Sequence, residues 1–460
     1  MPIRASKASR ERLLYLHRAT VPDLASHRQF ATSVRSIMSH YVPRVVDAEL
    51  DELLTQAAAI AIEGAKGVGK TATAMRRAAT VVTLDDPVQR ELAAADVGAT
   101  LRRPPPILLD EWQRLPPLWD AVRRAVDADD RSAQFLLTGS TALQASPTHS
   151  GAGRILRVRM HPLSLLERGV GTPTVSLRTL LSGAQAGLKG TSSVQLADYA
   201  EEIVASGFPA IRSRTGRTRT AQLDGYLARI VDQDFAEAGH PVRRPAQLTH
   251  WLRAYAAATA TVARLETIRD AATGDRADKP AKASTEAYRD VLTRLWVLDA
   301  LPAWLPTSNV IAELTQAPKH HLVDPALAAR LLGVTRDSML QGIPATPDGP
   351  SGGLLGALFE SLVTQSVRVY AQSAEASVHH FRTARGRQEV DLIVRAHDHR
   401  VVAIEVKLSA TVDDDDVKHL HWLRAQLGHG LADAIVVTTG PNAYRRADGI
   451  GVVPAALLGP

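Results

Sequence analysis

Cysteine is missing from the 460-residue sequence. Its absence excludes disulfides and thiolate metal sites, and it suits a reducing, cytoplasmic setting. Uninterrupted apolar runs are short as well: none reaches the roughly 18 residues that a membrane-spanning helix needs. The hydrophobic share, 45%, is nonetheless that of an ordinary globular chain. Residues 1–9 are basic but carry no apolar segment, which argues against a secretory signal. Nor is there a strong excess of charge. A net +6 is compatible with a polyanionic partner, yet an excess of that size serves solubility equally well. The length implies more than one core, with about three domains as the expectation.

Against this plain background one stretch carries specific chemistry. Gly64-Ala65-Lys66-Gly67-Val68-Gly69-Lys70-Thr71 is a complete G-x-x-x-x-G-K-[ST] phosphate-binding loop. Gly64 and Gly69 let the backbone turn so that its N–H groups surround a β-phosphate. Lys70 is spaced to reach the β/γ oxygens of ATP, and the Thr71 hydroxyl to ligate Mg²⁺. A helix starting near Lys70 would add its positive end to the same anion. The surroundings agree with this reading. A short apolar run at 58–63 enters the loop, and Val81-Val82-Thr83-Leu84 forms a second strand that stops at Asp85-Asp86-Pro87. A third, Ile107-Leu108-Leu109, closes on Asp110-Glu111. Asp110 there would hold Mg²⁺, and Glu111 would polarise the water that attacks the γ-phosphate. A fourth strand, Gln134-Phe135-Leu136-Leu137, ends in Thr138-Gly139-Ser140, where Thr138 is placed to sense the γ-phosphate and Ser140 reads as a helix cap. Strands alternating with helices imply a mostly parallel sheet with the nucleotide at the carboxyl ends of its strands. Arg154, after a loop at 146–153, is either a charge-neutralising residue acting in cis or in trans, or an exposed loop arginine.

Taken together, Leu84-Asp85-Asp86-Pro87, Ile107-Leu108-Leu109-Asp110-Glu111-Trp112-Gln113, Leu136-Leu137-Thr138-Gly139-Ser140, Gly153-Arg154-Ile155 and His161-Pro162-Leu163-Ser164 occur in an order that resembles the prokaryotic AAA-superfamily ATPases carrying a conserved C-terminal domain of unknown function. The turn Gly207-Phe208-Pro209 is shared too, and the resemblance runs from about residue 55 to about residue 440. It implies an α/β chain: a P-loop NTPase (AAA-like) parallel sheet, a helical winged-helix-like middle, and an α/β restriction-endonuclease-like C-terminal domain. The expected divisions are a helical cap at 1–56, the ATPase domain at 57–168, a linker and helical segment at 169–245, a winged-helix-like domain at 246–316, and a PD-(D/E)xK-like domain at 317–460.

Two basic features lie in the middle region. Arg212, Arg214, Arg217 and Arg219 fall within eight residues, either as a phosphate-contacting patch or as a solvated helix edge. A helix at 284–295 would present Thr285, Tyr288, Arg289 and Arg294 to DNA if the winged-helix array binds it, with 296–304 as the wing.

The C-terminal pattern is Asp391, thirteen intervening residues, then Glu405-x-Lys407 on an apolar strand. Alternation puts Glu405 and Lys407 on one strand face. The spacing resembles the PD-(D/E)xK nuclease core, with Val390 where that core has proline. Asp391 and Glu405 would share Mg²⁺ or Mn²⁺, Glu360 would join from the preceding helix, and Lys407 would position water. Asp413-Asp414-Asp415-Asp416 reads as the acidic start of a helix. The expectation is therefore a Mg²⁺- and ATP-dependent ATPase, binding ATP and ADP and coupled to a C-terminal module that acts on DNA. The alternatives are a nucleotide-switched regulator whose inactive nuclease-like domain binds a protein partner or itself, and an ATP-dependent nuclease.

Overall fold

Five short strands, β1 (Ala59–Glu63), β2 (Thr80–Thr83), β3 (Ile107–Asp110), β4 (Phe135–Thr138) and β5 (Ile155–Arg159), form a wholly parallel sheet in the order β2-β3-β4-β1-β5. They read as near-continuous apolar runs because both sheet faces are covered. Alternation divides them: Ile60, Ile62 and Leu108 enter one core, while Ala59, Ala61, Ile107 and Leu109 enter another with Trp112, Trp119 and Phe135. The computed structural model describes residues 41–139, 152–184, 187–273, 279–306, 313, 315–342, 353–383 and 386–460. The expected N-terminal cap lies mostly outside these, but a helix at Val46–Leu53 matches its last element.

The insertion of β4 between β1 and β3 decides the site geometry. Ile62 of β1 and Asp110 of β3 both stand in register with Thr138 of β4. The loop after β1, the acid at the end of β3 and the hydroxyl at the end of β4 thus come to one edge of the sheet.

A second, seven-stranded sheet is built mainly from the C-terminal third. With β7 (Gly190–Thr191), β8 (Ser377–Arg382), β9 (Glu389–Arg395), β10 (Val401–Val406), β11 (Leu431–Thr438), β12 (Asn442–Arg445) and β13 (Gly451–Pro454), it runs in the order β7-β12-β13-β11-β10-β9-β8, and β9 lies antiparallel to both β8 and β10. The helix Asp414–Leu427 then crosses to β11 (Leu431–Thr438), which lies parallel to β10. Asp413 starts that helix by accepting from the Asp415 and Asp416 amides at 2.9 and 3.1 Å, so the acidic run is a cap. The segment expected as a linker is built into the sheets instead. Its β7 (Gly190–Thr191) pairs with β12 (Asn442–Arg445), and its β6 (Val175–Ser176) pairs with β14 (Leu458–Gly459). Two-residue strands carry no alternation to read, and so they pass for loop in the sequence.

Between the sheets stand helices at Leu196–Ala205, Gly216–Arg229, Pro245–Ala257, Leu265–Ala271 and Lys282–Arg294. After the last of these, Leu298 and Leu301 bridge antiparallel to Leu322 and Lys319. Tyr288, expected to face DNA, points inward against Trp251 and Phe235 and donates to Gln247 Oε1 at 3.3 Å. One hydrophobic core runs from Ile60 and Val68 through Tyr199 and Phe208 to Leu358, Phe359 and Ile404. Residues 43–460 consequently form one compact unit. Among the described residues no helix is long and apolar enough to cross a membrane.

Candidate functional site

The phosphate loop needs its glycines for two different reasons. Gly64 and Gly69 have φ of 147° and 105°, where side-chain-bearing residues are strained. A Cβ on Gly64 would also stand 2.3 Å from the Met160 carbonyl oxygen. Lys70, just beyond, begins the helix Lys70–Met75 and folds back over the loop, donating to the carbonyls of Gly64 at 2.8 Å and Ala65 at 2.9 Å. Burial pushes its pKa down to about 8, against the opposing pull of Glu111 and Asp110.

Asp110 is held from two sides. The hydroxyls of Thr71 and Thr138 both donate to its Oδ1, at 2.7 and 2.5 Å. Burial raises its carboxyl pKa, and the two hydroxyl hydrogen bonds oppose that rise. A carboxylate and a hydroxyl converging at the end of the loop are the hard oxygen donors that Mg²⁺ prefers, so Thr71 and Asp110 fit the ion this loop calls for. Glu111 sits at φ 55°, ψ 43°, an unusual conformation for this residue, and its Oε2 accepts from Gln113 Nε2 at 2.5 Å. Burial, then Asp110, raises its pKa, which suits a group that must take a proton. Gln113 is thus hydrogen-bonded to the acid just after β3. Its other amide atom, Oε1, is buried without a hydrogen-bond partner.

Arg154 is corrected as a cis residue. It precedes β5, whose first residue pairs with Ala59 at the start of β1, and its Nε binds Asp127 at 2.8 Å on the surface. Five strand residues at about 3.3 Å each separate it from the loop end by roughly 16 Å. Ser140 lies outside the described residues.

Structure adds supports that no motif announces. Arg44 is buried and spans three parts of the site: Glu167 at 3.0 Å, the Val68 carbonyl at 2.8 Å and the His161 carbonyl at 2.6 Å. The turn at 206–209 packs on the loop, so that a Cβ on Gly67 would meet Phe208 and one on Gly69 would meet Pro209. That turn is strained at Ser206, with φ 70° and ψ 150°, and is pinned by Asp324, which accepts from Ser206 Oγ at 2.7 Å and from the Gly207 amide at 2.6 Å. Lys66 reaches Asp234 at 3.3 Å on a π-helical turn, Ile230–Asp234, and its carbonyl accepts from Tyr226. Such turns are rare and cluster at functional sites.

Half of the basic run is spent on ion pairs within the molecule. Arg212 forks onto Glu202 at 2.6 and 2.9 Å and Arg219 binds Glu201 at 2.6 Å, leaving Arg214 and Arg217 as its exposed members. Arg289 and Arg294 turn back toward Asp290. A cavity of about 800 Å³ opens elsewhere, between the helices Pro245–Ala257 and Leu265–Ala271 and strand β8, with Arg264, His380 and Arg382 in its wall.

At the C-terminal site the carboxylates do come together, but around a lysine. Lys319 Nζ lies 2.8 Å from Glu360, 3.1 Å from Asp391 and 3.5 Å from Glu389. Glu405 shares a hydrogen bond with Asp391, and Lys407 stands 3.8 Å from it. Burial, then Asp391, raises the Glu405 carboxyl well above its ordinary range. Burial alone would depress Lys319, yet Asp391 and Glu360 hold it above the ordinary ammonium value. The expectation that Glu360, Asp391 and Glu405 form a metal set is therefore corrected. Among the described residues no three His, Asp or Glu side chains are grouped to hold a metal ion. Lys319 lies on none of the elements the nuclease pattern names, which is why spacing alone missed it.

Comparison with known proteins divides the chain into three matches. Residues 56–168 match the AAA domain family, 196–338 a domain of unknown function (DUF8612), and 355–458 a domain of unknown function (DUF4143). Uncharacterized proteins of Mycobacterium tuberculosis and Mycobacterium bovis are each 25% identical over 442 residues, covering 95% of this chain and 89% of theirs. A Walker-type ATPase of Pyrococcus abyssi aligns over 62% of this chain and 94% of its own at 16% identity, with a TM-score of 0.35. Residues 56–168, which hold the parallel strands and the glycine loop closed by Lys70 and Thr71, are thus the part of the chain that is similar to the AAA domain family.

Proposed function

We propose that the protein hydrolyses ATP at this loop and uses the cycle to move its C-terminal half. In this reading Lys70 leaves the Gly64 and Ala65 carbonyls for the β/γ oxygens, and Glu111 takes the proton of the attacking water while Gln113 orients it. Thr71 and Asp110 hold Mg²⁺, which when bound neutralises phosphate charge. Thr138 keeps Asp110 aimed at that position.

The observation that carries the coupling is the turn at 206–209. It touches Gly67 and Gly69 on one side and is tied to Asp324 on the other, and Asp324 lies five residues beyond Lys319 in the carboxylate cluster. One extended segment thus joins the nucleotide loop to the C-terminal site. DNA is the substrate we assign to the moving half, on the strength of the large cleft and its arginines. A second reading, a nucleotide-switched regulator whose nuclease-like domain does not cleave, is favoured by the lysine inside that cluster.

Steady-state turnover tests the first part. Glu111→Gln should lower it by about 10²-fold or more while ATP still binds; full turnover in that variant would remove Glu111 from its role. Turnover with and without DNA separates the two readings: stimulation supports action on DNA, and indifference supports the regulator.

A further inference from the structure

The carboxylates that a divalent metal would need are present, yet they are arranged for a different cation. Glu360 comes from the helix Gly353–Ser373, Asp391 from β9 and Glu405 from β10. Lys319 enters from outside all three. Its side chain is 1% exposed, and its backbone is fastened by two hydrogen bonds with Leu301, at 2.8 and 2.9 Å.

Distances separate the two kinds of occupant. The oxygens of Glu360, Asp391 and Glu389 stand 2.8, 3.1 and 3.5 Å from one nitrogen, as ammonium hydrogen bonds and ion pairs require. Mg²⁺ binds oxygen at about 2.0–2.1 Å in a near-octahedral shell. To reach that geometry the carboxylates would have to close by about 1 Å around a point already filled by a +1 charge. Two of the remaining acceptor positions are also taken: Asp391 Oδ2 accepts from the Val406 amide at 2.9 Å, and Asp391 also hydrogen-bonds the Glu405 carboxyl.

We propose that Lys319 is the resident cation of this cluster. It excludes Mg²⁺ and Mn²⁺ in the intact protein, and removing its ammonium turns Glu360, Asp391 and Glu405 into a site for a hard divalent cation. The inference is independent of ATP hydrolysis and bears only on what the C-terminal domain can bind.

Titration of the full-length, nucleotide-free chain with Mn²⁺, read by the loss of the free-ion paramagnetic resonance signal, tests it. Any binding at the phosphate loop is subtracted with Asp110→Asn. Lys319→Met should gain one Mn²⁺ per chain relative to wild type, and the double variant Lys319→Met/Asp391→Asn should lose that gain. Lys319→Arg, which keeps a cation, should gain none. An unchanged stoichiometry in Lys319→Met overturns the proposal, as does a wild-type Mn²⁺ site that disappears in Asp391→Asn. Should Lys319→Met be too unstable to titrate, its melting temperature should rise with added Mn²⁺ while that of wild type does not; no such rise overturns the proposal equally.

Discussion

ATP binding should take up a proton on the alkaline side of neutrality, and the group responsible is Lys70. Folded back over the loop, its ammonium is buried against two carbonyl oxygens, and burial brings its pKa down to about 8. Bound phosphate oxygens supply negative charge that those carbonyls do not, so the folded-back, partly deprotonated lysine becomes fully charged in the complex. The sign follows: the bound pKa exceeds the free one, and affinity falls as pH rises through the free value. With a free pKa of about 8, roughly one-tenth of the sites must gain a proton at pH 7 and about nine-tenths at pH 9. The association constant should then drop about tenfold between pH 7 and pH 9, or about 1.4 kcal/mol. The γ-phosphate, with its second pKa near 6, stays ionised across this window and does not mask the effect. Isothermal titration in buffers of different ionisation enthalpy reads the proton count directly. An uptake of less than about 0.2 proton at pH 9, with affinity flat from pH 7 to 9, would refute the assignment of a depressed pKa to Lys70.

Three further outcomes are expected. Arg44→Ala leaves the buried Glu167 carboxylate without its cation and should cost about 3–5 kcal/mol in urea unfolding; a loss below 1 kcal/mol would show that Arg44 does not brace the site. Asp299 is buried with Arg159 at 2.9 Å, Arg368 at 3.5 Å and His161 at 3.9 Å. Burial would raise its pKa, but the two arginines hold it below the ordinary value, so its contribution is present above about pH 4 and lost as pH falls. Asp299→Asn should therefore be less stable at neutral pH and show a flatter decline between pH 5 and pH 3, measured by denaturant midpoints. Arg154→Ala should leave turnover per site unchanged, since its strand position puts it at the far end of the sheet; a tenfold or greater loss would mean that a second copy of the chain supplies it across an interface.

The chemistry of single positions was legible in the sequence, whereas the company those positions keep was not. A glycine loop, an acid at the end of an apolar strand and a hydroxyl at the end of the next are local patterns. They follow from backbone torsions and strand alternation, and the sheet brings Lys70, Thr71, Asp110, Glu111 and Thr138 to one edge as their spacing implies. Asp391, Glu405 and Lys407 were likewise readable from a hairpin and a two-residue period. Everything contributed from far along the chain had to wait for the fold. Arg44 under the loop, Asp324 under the turn at 206–209, the two-residue edge strands and the arginines absorbed by Glu201 and Glu202 leave no periodic trace. Lys319 is the decisive case. As a residue it is an ordinary lysine, 41 positions before Glu360 and 72 before Asp391. Only packing places its ammonium among their carboxylates, because an ion pair depends on separation in space and on exclusion of water, and neither is written in the local sequence.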